Sequence, residues 1–157
     1  MRCYRFFLLL LGLFLLNINL SALSQTDHIN CTIFIDGKLP YGSTLRDHYF
    51  SYFDSTGVLH RIDFQYVIGE IQLTQENANI LHSLDDNDEV TMHFTHYQYR
   101  AENSIYSGML KVEWLTYRYL IIRITTLNKK KGEYYFGYST PGISKQFIKD
   151  EYNMFEY

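Results

Sequence analysis

Residues 106–114, Tyr-Ser-Gly-Met-Leu-Lys-Val-Glu-Trp, decide the fold class of this chain. Apolar and polar side chains alternate along the segment, with Leu110 and Trp114 on one side and Lys111 on the other. Successive side chains of a β-strand point to opposite faces, so a period of two is typical of a strand with one buried face. The segment therefore predicts a β-strand over its whole length.

The same alternation recurs through most of the chain after residue 28. Turn-forming residues separate the alternating segments, because Asp, Ser and Gly favour tight turns. Seven or eight short strands about ten residues apart, joined by hairpins, predict an antiparallel β-sandwich or a small barrel. Parallel strands would need helical crossovers, and the sequence offers only one helix. The predicted strands lie in residues 29–35, 48–53, 58–68, 70–73, 90–99, 106–114, 117–127 and 133–139.

One segment has helical spacing instead. The hydroxyl of Thr74 can cap a helix start, and Ala78 and Leu81 follow at the interval of one helical turn. These residues predict one short helix near residues 75–84, followed by a turn in the acidic run Asp85–Glu89. The fold class is therefore all-β, or α+β if the single helix is counted.

The N-terminal segment has the three parts of a secretory signal peptide. Arg2 and Arg5 give it a positive start, Phe6–Leu16 is an apolar run interrupted by one glycine, and small residues lead up to Ser24. We expect residues 1–24 to be a signal peptide that is cleaved after Ser24. The expected product is a single β-rich domain, residues 25–157, that is secreted or periplasmic.

A retained membrane anchor is the alternative for this segment. An anchor would need about 20 apolar residues to cross the hydrocarbon layer, and Asn17 and Asn19 lie where that span would continue. We therefore expect no stable membrane span after cleavage.

Charge and cysteine content restrict the partners of the expected product. Without residues 1–24 the chain keeps 12 basic and 17 acidic residues, a net charge of −5, which gives no electrostatic reason to bind nucleic acid. Cys31 would be its one remaining cysteine, so no intramolecular disulfide can form. Because Cys31 alternates with Ile29 and Ile33, we expect it to be a small buried apolar residue.

No motif in the sequence indicates catalysis or metal binding. The acidic run Asp85–Glu89 lacks the glycine and the distant glutamate of a calcium loop. His93 and His96, three residues apart in a predicted strand, should point to opposite faces, as should the neighbours Asp47 and His48. We therefore expect a protein that is not an enzyme and that has no cofactor and no metal.

The tyrosine content is the most informative functional signal. The chain has 15 tyrosines, more than a core of this size would be expected to bury, because every buried hydroxyl needs a hydrogen-bond partner. We expect some of these rings to line a sheet face or loops and bind a ligand, although cross-strand pairing of tyrosines would also explain their number. The candidate ligand-binding residues are Tyr97, Tyr99, Tyr117, Tyr119 and Arg123.

The sequence therefore predicts an exported, non-enzymatic binding domain. Its expected partner is a glycan or a protein of the cell envelope, because tyrosine and arginine are frequent where interfaces are strongest. The alternative is a periplasmic immunity or inhibitor protein that blocks a toxic enzyme.

Overall fold

The computed structural model describes residues 26–98, 102–149 and 154–156 of the chain, and these residues form eleven strands in two sheets. The all-β sandwich prediction is confirmed, and neither sheet closes into a barrel. The strands are β1 Thr26–Ile35, β2 Leu45–Phe53, β3 Leu59–Asp63, β4 Gln65–Val67, β5 Gly69–Thr74, β6 Glu89–His96, β7 Ser104–Lys111, β8 Leu120–Asn128, β9 Glu133–Thr140, β10 Ile143–Lys149 and β11 Met154–Glu156.

The chain passes repeatedly between the two sheets. The seven-stranded sheet has the order β11-β10-β9-β8-β1-β5-β4, and the four-stranded sheet has the order β3-β2-β6-β7. The segment predicted as one strand over 58–68 is two strands, because the chain crosses from one sheet to the other at Phe64. This crossing helps to explain why the strand number exceeds the predicted seven or eight.

One strand pair departs from the antiparallel prediction. β1 and β8 run parallel, from the pair Cys31–Leu120 to the pair Ile35–Ile124. A parallel connection needs a long crossover, and here residues 36–119 supply it with strands of both sheets instead of a single helix. The remaining strand pairs of the described chain are antiparallel.

The helix prediction is confirmed near residues 75–84. Helix α1 spans Gln75–His82, and the Thr74 hydroxyl accepts a hydrogen bond from the Asn77 amide at 3.3 Å. Ala78 and Leu81 are its buried residues, as their spacing predicts.

A second helix, α2, spans Val112–Leu115, where the sequence predicts the end of a strand. β7 stops at Lys111 because its last partner in β6 is Glu89. Val112, Trp114 and Leu115 of this helical turn are buried.

The core lies between the sheets and contains many of the aromatic rings. Tyr134, Phe136 and Tyr138 of β9 are all at most 2% exposed, and Cys31 is buried as predicted. Burial raises the pKa of the Cys31 thiol far above its ordinary value, because the thiolate would lose its hydration. The Tyr134 hydroxyl accepts a hydrogen bond from the Ser107 amide at 2.6 Å and donates one to the Ser107 carbonyl at 2.8 Å, so it joins the two sheets.

The predicted signal peptide, residues 1–24, lies outside the described residues. Within the part of the chain that the structure describes, neither helix has the length and apolar character needed to cross a bilayer.

Candidate functional site

The outward side of the four-stranded sheet carries a cluster of aromatic, basic and apolar residues. Phe50, Ile62 and Met92 of this sheet point into the core with no exposed surface, so the residues that alternate with them point outward. Register places Tyr49 beside His93, Ser51 beside Arg61, and Phe53 beside Leu59. We call this set the outer face: Tyr49, Ser51, Phe53, Leu59, Arg61 and His93.

Tyr49 forms the centre of a stack on the outer face. The His93 ring lies parallel to the Tyr49 ring at 4.5 Å between centroids, and the Arg61 guanidinium carbon lies 3.9 Å from the Tyr49 centroid. His93 and Arg61 come from β6 and β3, the two strands that flank β2. Ser51 Oγ is 2.8 Å from His93 Nε2, and Arg61 Nε donates to Asp63 at 2.6 Å, so the stack is fixed on both sides.

The turn between β2 and β3 is held by backbone hydrogen bonds and by the carboxylate of Asp54. Asp54 Oδ1 accepts hydrogen bonds from the Thr56 amide at 2.8 Å, the Thr56 hydroxyl at 2.6 Å and the Val58 amide at 3.0 Å. Asp54 Oδ2 lies 2.7 Å from His60 Nε2. These bonds, led by those to Thr56 and His60, hold the pKa of Asp54 well below its usual range. The turn therefore has a defined shape.

Apolar side chains are exposed at this end of the outer face. Phe53 is 70% exposed and Leu59 59% exposed, although they pair directly across β2 and β3. Val58, in the turn, is 53% exposed. A contiguous exposed apolar patch on an ordered hairpin is typical of a surface that contacts another molecule.

The predicted ligand-binding residues lie in different parts of the fold. Tyr97 follows β6, with its hydroxyl 3.4 Å from Asp47 Oδ2 and its ring 4.8 Å from the Arg46 guanidinium carbon. Tyr99 lies outside the described residues. Tyr97 thus adjoins the four-stranded sheet.

The other predicted residues belong to the seven-stranded sheet or its approach. Tyr117 and Tyr119 lie between α2 and β8, where Tyr117 packs against the core and Tyr119 is exposed. Arg123 is in β8 and donates from Nη1 to Ser139 Oγ at 2.9 Å. The structure therefore does not place the predicted set on one sheet, and their role in binding stays a prediction.

The sequence predicts only part of the outer face. Both of its main segments, 48–53 and 58–68, are predicted strands, and Arg61 is predicted to point away from the apolar side. Sequence alternation does not show that Tyr49, Arg61 and His93 stack, because the stack depends on the register of three strands.

The described residues contain no group of three or more His, Cys, Asp and Glu that could hold a metal ion. Comparisons of the chain with protein family models, curated proteins and solved structures find no match.

Proposed function

We propose that this protein is an exported, non-enzymatic binding protein that docks a protein partner outside the cytoplasm through its outer face. The observation that carries the proposal is the exposed pair Phe53 and Leu59 beside a turn that Asp54 holds in place. An ordered hairpin loses little conformational entropy when it binds, so its apolar contacts contribute fully to affinity. Export rests on the signal-like pattern of residues 1–24.

The geometry of the outer face favours a protein over a glycan. A sugar ring binds best to an open aromatic face bordered by polar groups, but Tyr49 is stacked by His93 and Arg61 from the two flanking strands. Phe53 and Leu59, the exposed residues farther along the same face, have side chains that form no hydrogen bonds. Aromatic residues and arginine are, in contrast, enriched among the residues that dominate protein–protein affinity.

Ser51 Oγ lies 2.8 Å from His93 Nε2, a distance that is also found between a nucleophile and its general base. Neither residue lines the cavity that lies beside β2, and an acyl transfer also needs donors for the oxyanion. We therefore assign this pair to the stability of the stack. Labelling of Ser51 by a fluorophosphonate probe would contradict this assignment and the non-enzymatic proposal.

The docking proposal is tested by replacing the apolar pair. Phe53→Ser combined with Leu59→Ser should weaken binding of the partner about a thousandfold, because two truncations at about 2 kcal/mol each sum to about 4 kcal/mol. Leu127→Ser is the matched control, since Leu127 is also exposed but lies in β8 of the other sheet.

The measurement combines capture with site-specific crosslinking. A photoreactive residue at position 53 should crosslink one envelope or secreted protein. Once purified, that partner should bind the wild-type chain and the Leu127→Ser variant with equal affinity. Equal binding by the double serine variant, with an unchanged unfolding temperature, would rule out the outer face. Crosslinking to polysaccharide alone would replace the protein partner with a glycan.

An inhibitor of a toxic enzyme is the second candidate, favoured by the shape of the same hairpin. A turn fixed by Asp54 and carrying Val58 beside Phe53 is suited to insertion into a cleft. In that case the crosslinked partner should be an enzyme, and a stoichiometric complex should abolish its activity. Full activity of the partner in the complex would exclude this role.

A further inference from the structure

A cavity of 520 Å³ lies between β2 and β3 of one sheet and β4 and β5 of the other. Its volume is within the range of about 300–1,000 Å³ that is usual for small-molecule sites. Its lining is mixed, with charged and amide side chains beside an aromatic ring. We call it the groove. Its lining includes Asp47, His48, Asp63, Phe64, Gln65 and Gln72.

β2 is irregular at Asp47, where it borders the groove. The pairing of β2 with β6 shifts between Arg46 and Tyr49, and Asp47 has a φ of +54°, a left-handed conformation that is uncommon outside glycine. A bulge of this kind redirects side chains, so the neighbours Asp47 and His48 both line the groove.

His48, the next residue, has an unfavourable feature of its own at the same place. Its ring stacks on Phe64 at 5.6 Å between centroids, and its Nε2 is buried with no hydrogen-bond partner among the described residues. Burial lowers the pKa of His48, so the ring is neutral near pH 7. A strained residue followed by an unsatisfied buried nitrogen, both at a cavity, is expected at a functional site rather than in a purely structural turn.

The groups that the groove offers to a ligand are hydrogen-bond acceptors and side-chain amides. Arg61 donates to Asp63, so its charge is already compensated. The carboxylate of the exposed Asp47 makes a long contact of 3.4 Å to the Tyr97 hydroxyl. Gln65 and Gln72 are cross-strand neighbours in β4 and β5. A carboxylate and paired amides can each bind hydroxyl groups, which both donate and accept.

From this geometry we infer that the groove is a second binding site, for a short uncharged saccharide. Asp47, Gln65 and Gln72 would hydrogen-bond its hydroxyls, above a buried floor that includes Phe64 and Leu73. An anionic ligand is disfavoured, because the lining has two carboxylates and one guanidinium. The inference does not rest on Phe53 and Leu59, which do not line the groove, although Arg61 belongs to both the outer face and the groove lining.

The test is a titration of the ¹⁵N-labelled full chain with methyl glucoside, methyl galactoside and N-acetylglucosamine, with methylguanidinium as a cationic probe. At least one saccharide should shift the backbone amides of residues 47–48, 64–65 and 72. Asp47→Asn should weaken that binding about tenfold or more, because a hydrogen bond to a charged acceptor is lost. Asparagine tolerates a positive φ, so this variant preserves the backbone.

Two controls separate the groove from general effects. Asp86→Asn removes an exposed carboxylate from the acidic turn and should leave saccharide binding unchanged. Asp47→Asn should also leave crosslinking through position 53 unchanged. Binding of methylguanidinium alone, shifts confined to residues outside the groove, or no shift with any saccharide would each overturn the inference.

Discussion

Replacing Gly108 by alanine should destabilise the protein by about 3 kcal/mol. A Cβ at Gly108 would lie 2.2 Å from Cε1 of Phe136 and 2.3 Å from two further atoms of the same ring. Gly108 lies in β7 of one sheet and Phe136 in β9 of the other, so this contact sets the local separation of the sheets. The missing side chain of Gly108 is the space that the ring occupies.

The magnitude follows from the inability of either partner to move. Overpacking a core usually costs about 1–3 kcal/mol. Phe136 is completely buried, and β7 is tied to β9 next to Gly108 through the Tyr134 hydroxyl and the Ser107 backbone. We therefore expect the upper end of this range. With a urea dependence of about 2 kcal/mol per M, the unfolding midpoint should fall by about 1.5 M.

A double-mutant cycle tests the cause of this loss. Phe136→Ala alone should cost about 3–5 kcal/mol through its cavity, and adding Gly108→Ala should then cost almost nothing, because the clash has gone. Gly42→Ala is the matched control, since its Cβ would meet only the Tyr66 carbonyl, at an ordinary 3.6 Å. Additive losses, or a Gly108→Ala variant as stable as the Gly42→Ala variant, would refute the reasoning.

The structure leads to three further expected outcomes. Tyr134→Phe should lower the free energy of unfolding by about 1–3 kcal/mol, because it leaves the Ser107 backbone groups without their hydrogen bonds to the hydroxyl. The control Tyr135→Phe, on the outer side of β9, should change it by less than about 0.5 kcal/mol. Equal losses in urea unfolding would exclude the hydrogen bonds as the cause. The Cys31 thiol should stay unmodified by Ellman's reagent until the chain unfolds, since it is 1% exposed and its pKa is raised by burial; rapid labelling of the native protein would contradict this burial. Because the folded-state pKa of Asp54 lies below the ordinary 3.8, the stabilisation that it gives the β2–β3 turn is present above pH 3.8 and is lost as the pH falls below it; hydrogen-exchange protection of the turn amides should decrease over that window in the wild type and be low throughout in Asp54→Ala.

The features that the sequence predicts correctly are those with local causes. Ile29, Cys31 and Ile33 are buried in β1 because alternate residues of a strand share one face. Helix α1 begins after Thr74 because a hydroxyl at that position satisfies an amide of the first turn. These effects act within a few residues and leave a readable pattern.

The features that the sequence does not predict depend on contacts distant along the chain. The parallel pairing of β1 with β8 joins Cys31 to Leu120, and no local preference of either segment indicates it. Helix α2 forms where β6 no longer provides a partner for β7. Val112 is therefore helical, although the alternation of its segment predicts a strand. The bulge at Asp47 likewise arises from the pairing of β2 with β6.

Hydrogen bonds inside the sandwich account for part of the tyrosine content. Buried hydroxyls do need partners, but Tyr134 and Tyr66 find them in backbone groups, at Ser107 and at Ile33. These tyrosines therefore act as polar links inside the sandwich, and a high tyrosine content does not require an exposed aromatic face.

Exposed apolar residues give a stronger indication of binding than tyrosine does. A tyrosine has a hydroxyl that explains its position, either in the core beside backbone groups or at the surface beside water. Phe53 and Leu59 have no such group, and the bonds of Asp54 that order their turn hold both side chains in the solvent. An exposed apolar pair on an ordered turn gains no burial within the chain, and this supports the proposal that a second molecule covers it.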